Sequence, residues 1–121
     1  MQKWWNSARH ASRGILLMLK EERNIRIEIA IAIFVIILSI WLRISSIEWC
    51  LIIVCIGGVL AAEAFNTSLE RVADYLTKER NSQIRDIKDL SAAGVLIMSL
   101  VAVGIGMIIL LPKIVIRIIA S

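Results

Sequence analysis

Three observations predict an all-α membrane protein: one domain with an N-terminal amphipathic surface helix and three transmembrane helices. Hydrophobic residues fill 59% of the 121 positions and mean hydropathy is +0.80, whereas an ordinary soluble domain is roughly 45–50% apolar. A chain this short cannot hide that much apolar surface from water, so lipid is its second solvent. The charged residues, 20% of the chain, are clustered between apolar runs rather than spread through them. The longest run, Leu90–Pro112, carries no charge over 23 residues, ample for the ~20 that a spanning helix needs.

Each element follows in order. Residues 1–25 mix Trp4, Trp5 and the apolar stretch Ile15–Leu19 with Lys3, Arg9, Arg13, Lys20 and Arg23, and only Gly14 interrupts a helical reading. Such a helix lies in the membrane surface, tryptophans at headgroup level and basic groups toward lipid phosphate. The first span covers 27–42, short for a crossing, with Arg26 and Glu28 in its first turns and Trp41 at its far boundary. After the brief linker "RISSIE" a second span covers 49–70, in which Gly57 and Gly58 would let another helix approach closely. The third covers 90–112, and a short basic tail follows. Cys50 and Cys55 read as small apolar side chains, neither a metal pair nor a disulfide. The opening "MQKWWNSARHASRG" has no apolar stretch directly after its basic residues, so a cleaved signal peptide is not expected.

Charge sets the orientation. Residues 1–26 carry six Lys/Arg and the segment Arg71–Asp89 five, against Arg43 alone in the first linker and Lys113 and Arg117 in the tail. The positive-inside rule places the N-terminus and the second connection in the cytoplasm. With this hydropathy, the net charge of +4 points to anionic lipid headgroups rather than to nucleic acid.

The segment "AAEAFNTSLERVAD", Ala61–Asp74, stands out at the end of the second apolar run. On a helix Glu63, Asn66, Glu70 and Asp74, spaced 3, 4 and 4, fall on one face. A solvated face suits Asp74, beside Arg71, but suits Glu63 badly. From Trp49 to Glu63 is only 14 residues, or ~21 Å of helix, less than the ~30 Å hydrocarbon core. A carboxylate at that depth is costly and is by default a functional-site candidate, suited to accepting a proton.

Two further clusters belong to the same side. "KEERNIRIE" supplies Glu21, Glu22, Arg23, Asn24, Arg26 and Glu28 before the first span, and "RDIKDLSAAG" supplies Lys88, Asp89 and Ser91 before the third. Each alone reads as a stop-transfer flank or a helix cap. Together, carboxylates at this density repel unless cations join them. Magnesium bridging carboxylates and phosphate oxygens resolves the conflict, and Lys88 can hold further phosphate charge. The chemistry suggested is phosphoryl transfer, which needs a metal, cationic groups and a base. No GxxxxGK[ST], kinase GxGxxG or HRD motif is present, so any kinase here is built in the membrane and not on a soluble kinase fold.

"EAFNTSLERVAD" resembles the E-x-x-N-x-x-x-E-x-x-x-D signature of the prokaryotic diacylglycerol kinase and undecaprenol kinase family, "KDLSAAGVL" resembles its KD-x-x-[AS]-[AG]-A-V-L segment, and "EERN" with "IRIE" its first acidic motif. Order, spacing and layout match over about residues 3–112. The resemblance implies a small homotrimeric inner-membrane lipid kinase, using ATP and Mg2+, with active sites shared between subunits at the cytoplasmic boundary. It implies Glu63 as the base on the lipid hydroxyl with Asn66 supporting it, and Glu22 and Glu70 as metal-binding glutamates that hold magnesium–ATP. It places Asp74, Lys88, Asp89 and the segment Glu79–Arg80–Asn81 at the nucleotide, and Arg13, Trp41 and Ala92 near the lipid. His10 stands at the nucleotide where members often have tyrosine, and Arg13 where lysine is common. The small residues of Ser91–Gly94 are permuted, and "KIVIRIIAS" has no clear counterpart. The "ERNIRI" stretch looks more like undecaprenol kinases than diacylglycerol kinases.

Read without the resemblance, His10 is an ordinary amphipathic side chain at headgroup level. The competing function is non-enzymatic: a membrane assembly or cation-path protein, the stripe lining the path. A cation path has no use for Lys88 on that side, whereas a magnesium–ATP site requires such a group.

Overall fold

A computed structural model describes residues 1–77, 79 and 81–121. Among these residues are four helices: α1, Gln2–Glu21; α2, Arg23–Leu42; α3, Ser46–Leu76; and α4, Ser82–Ala120. Of these, α2, α3 and α4 are long and apolar enough to cross a membrane. Among the described residues there is no strand. The all-helical layout, one amphipathic helix and three spans, is the one expected.

Two compact units divide the chain, Met1–Phe34 and Val35–Ser121. In the first, α1 is amphipathic and buries no residue. It ends at Glu22, whose extended backbone (φ −107°, ψ 108°) breaks the helix before α2 starts one residue later. The orphan carbonyls of that helix end find donors. The Glu22 N–H bonds to Met18 O at 2.9 Å, and the Arg26 guanidinium donates to Leu19 O and Lys20 O at 3.0 and 2.9 Å. A cation here also meets the negative end of the α1 dipole.

In the second unit α2 turns into α3 through Arg43, which has φ 55°. Ile44 N–H reaches back to Ser39 O at 3.4 Å and Arg43 N–H to Ile40 O at 3.2 Å, the paired bonds of a Schellman stop. Two residues on, Ser45 and Glu48 form a complete capping box that starts α3. A small core sits at this end, made by Leu42, Ile44, Ile52, Ile109 and Leu110, with Trp49 and Ile105 packed on it. Elsewhere apolar faces stay exposed, as at Leu96, Ile97, Leu100 and Ile108 on α4. Faces of that kind suit lipid or a second helix, not water.

Helices α3 and α4 form a long antiparallel hairpin. Its connection is shorter than the charge-rich segment Arg71–Asp89 suggests, because α3 runs to Leu76 and the Asn81 side chain caps α4 by accepting from Gln83 N–H at 2.8 Å. The basic tail after the third span is helical: α4 continues through Pro112 to Ala120. Proline removes one backbone donor, but the following turns are held from outside by Lys113 on Glu48 at 3.2 Å and Arg117 on Trp41 O at 3.1 Å.

Only one of the two glycines expected at a helix approach has a close neighbour within the chain. A Cβ on Gly58 would come within 2.6 Å of the Met98 terminal methyl, while Gly57 has nothing within 4 Å. Gly58→Val therefore destabilises the hairpin by about 1–3 kcal/mol through overpacking. Gly58→Ala stays within about 1 kcal/mol of native, because Met98 can swing aside and alanine favours helix. Unfolding of both variants in detergent, followed by circular dichroism, checks the pair.

Candidate active site

The second half of α3 carries the polar stripe, and α4 answers it. Glu63 is 8% exposed although it is a carboxylate in an apolar run. Asn66 and Glu70 are half-buried and Asp74 is exposed, so the stripe grades from buried to open toward the connection. Among the described residues no side chain is hydrogen-bonded to Glu63. Thr67, buried four residues after Glu63, shares that face.

Asn66 is held from both sides. The Ser91 hydroxyl donates to Asn66 Oδ1 at 2.8 Å, and Asn66 Nδ2 donates to Glu70 Oε1 at 3.5 Å. With its oxygen engaged by Ser91, the amide has its NH2 group directed along the stripe to Glu70. Further along, Lys88 Nζ pairs with Asp74 Oδ1. Asn66 lies opposite Ser91, and Gly58 opposite Met98. That register brings the small residues before Val95, including Ala92, near the level of Glu63.

The expected site residues divide as follows. Asn66 and Glu70 form one hydrogen-bonded set, to which the structure adds Ser91, and Asp74 with Lys88 forms a second. Asp89 turns to Arg85 at 3.9 Å, a mostly exposed i,i+4 pair of small energetic weight. Asn81 caps α4, and the Glu79 N–H donates to Thr77 Oγ1 at 3.0 Å. Ala92 is exposed on α4. Arg80 lies outside the described residues. In the first unit His10 and Arg13 are exposed on α1, and Glu22 is half-buried at the break between α1 and α2. Trp41 closes α2 at the opposite end of α3. Between its level, near Ser45, and Glu63 run 18 residues, or ~27 Å of helix, so the structure does not bring Trp41 beside the carboxylate.

Three candidate spans, a buried carboxylate on α3 and an Asn66–Ser91 hydrogen bond from the same helix to α4 give a membrane protein with a polar site in its apolar region. The sequence matches the family model described as prokaryotic diacylglycerol kinase over residues 9–110. It is also 33% identical over 113 residues to an undecaprenol kinase of Bacillus subtilis (strain 168), covering 93% of this chain and 92% of the relative. The chain belongs to the prokaryotic diacylglycerol kinase family. This decides against the cation-path reading and makes a nucleotide the phosphoryl donor.

Sequence reasoning named Ser91 in the polar cluster before the third span but gave it no role, and it passed over Thr67, whose spacing of four from Glu63 put it on the same face. Ser91→Ala leaves the Asn66 amide free to rotate. A lost hydrogen bond of about 0.5–1.5 kcal/mol predicts a fall of about tenfold or less in kcat/KM for the nucleotide. Steady-state kinetics on folded protein check it, and Ser91→Thr, which keeps the hydroxyl, restores most of the loss.

Proposed function

We propose that this chain transfers the γ-phosphoryl group of ATP, with Mg2+, to the hydroxyl of a membrane lipid, undecaprenol in preference to diacylglycerol. The observation that carries the chemistry is Glu63: buried, without a hydrogen-bonded side chain among the described residues, and continuous with Asn66 and Glu70 on one helix face. The lipid preference is supported by the name of the Bacillus relative and by the "ERNIRI" stretch.

The carboxylate of Glu63 takes the proton of the lipid O–H. The oxygen attacks the γ-phosphorus, the bond from that phosphorus to the β–γ bridging oxygen breaks, and ADP leaves. Asn66 keeps the stripe in register with Glu70. Among the described residues no group of three or more His, Cys, Asp or Glu gathers as a metal cage. Magnesium is usually held by one or two carboxylates plus substrate phosphates and water, a demand that Glu22 and Glu70 meet chemically. When bound it neutralises charge developing on the phosphoryl oxygens. Lys88 adds cationic charge for the phosphates, and Asp74, Asp89, His10, Glu79, Arg80 and Asn81 complete the nucleotide's surroundings. Arg13, Trp41 and Ala92 border the lipid, with Trp41 near the end of α3 opposite the stripe.

The working form is a homotrimer with sites shared between subunits, in the bacterial cytoplasmic membrane. The basic N-terminal and α3–α4 segments support a cytoplasmic N-terminus and active site. The test offers undecaprenol and diacylglycerol to the purified chain separately, with labelled ATP and magnesium. Faster labelling of undecaprenol is expected. Faster labelling of diacylglycerol would reverse the substrate assignment, and no labelling of either lipid would overturn the kinase reading of this site.

A further inference from the structure

The end of α4 beyond residue 110 lies outside the family match, and it builds a second site far from Glu63. A cleft of about 630 Å³ opens there, its lining including Trp41, Lys113, Ile116, Arg117 and Ser121. The Arg117 guanidinium lies 4.6 Å over the Trp41 ring and gives one N–H to the Trp41 carbonyl oxygen. Lys113 is matched by Glu48. Among the described residues no carboxylate is paired with Arg117, so the cleft carries one unmatched cation in largely apolar walls.

Depth identifies what meets that cation. The uncharged run Leu90–Pro112 is ~34 Å of helix, against a ~30 Å hydrocarbon core. Lys113 therefore stands at the boundary, and Arg117, one turn further, in the headgroup layer. A tryptophan at that level is an interfacial anchor. Stacking on its ring fixes the plane of the guanidinium and leaves other N–H donors for a phosphate, which arginine binds through paired hydrogen bonds. Ile116 and Ile118, both exposed, offer an apolar surface to the acyl chains.

We propose that this cleft is a binding site for the headgroup phosphodiester of an anionic phospholipid, with Arg117 as its principal ligand. The site ties the ends of α2 and α4 together through a membrane lipid, and it does not depend on the reaction assigned to Glu63.

The full chain is reconstituted in nanodiscs holding equal parts of phosphatidylglycerol and phosphatidylcholine, and retained lipid is counted by native mass spectrometry. The native chain keeps phosphatidylglycerol in preference. Arg117→Gln lowers that retention roughly tenfold, the scale of a lost charge-assisted hydrogen bond, while Arg43→Gln, a basic residue of the α2–α3 turn outside the cleft, leaves it unchanged. Helicity and elution volume confirm that each variant is folded. Should Arg117→Gln fail to fold, Arg117→Lys serves in its place, and a severalfold loss is expected because lysine cannot reproduce the planar fork. Equal retention of the two lipids by the native chain, equal loss in the Arg43 and Arg117 variants, or displacement of the lipid by millimolar inorganic phosphate would each overturn the proposal.

Discussion

Glu63→Gln lowers kcat for phosphoryl transfer by about 10²–10⁴-fold, the range general-base catalysis supplies, and leaves KM for the nucleotide near its native value. Glutamine fills the same space and removes only the capacity to take the proton. Glu63 is buried in α3, and a carboxylate in an apolar span costs a few kcal/mol. The glutamine variant is therefore expected to be at least as stable as native. Stability and activity then move in opposite directions, a pattern that a purely structural glutamate would not give. A loss of both together would assign Glu63 to the fold instead.

With Glu70 as a proposed magnesium ligand, Glu70→Gln is expected to act on the metal. Removing a carboxylate proposed to hold magnesium–ATP forfeits a few kcal/mol of charge stabilisation, which predicts a fall of roughly 10²-fold in kcat/KM for ATP. Raising the magnesium concentration recovers part of it, as it cannot for Glu63→Gln. Glu22→Gln, the other proposed metal ligand, is expected to behave alike. Titration of activity against magnesium separates these outcomes. An unchanged magnesium dependence in Glu70→Gln would remove that residue from the metal.

The helices were legible because lipid imposes a simple demand: every backbone group must be satisfied within the segment. The long apolar runs of α2, α3 and α4 state that demand directly. The stripe was legible for the same reason, since a carboxylate at Glu63 is costly in such a run and the polar residues after it keep helical spacing. What escaped was set by single side chains at helix ends. The Ser45–Glu48 pair is a capping-box signature, and with it the start of α3 could have been placed. Nothing local announces that α4 continues past Pro112, because that turn is held by Glu48 and by Trp41, 65 and 76 residues away from their partners Lys113 and Arg117. Ser91 became part of the site only through a contact across 25 residues. Trp41, expected at the far boundary of the first span, does stand at the end of α2, away from the stripe.

The central claim is that Glu63 takes the proton in a transfer whose nucleotide is held by other residues. The most direct test measures two quantities on one preparation of Glu63→Gln: equilibrium binding of ATP with magnesium, and a single turnover of labelled phosphoryl transfer to undecaprenol. Native-like binding with transfer slowed at least 10²-fold is the predicted result. Transfer within tenfold of native, with binding intact, would contradict the account and move the base elsewhere on the stripe.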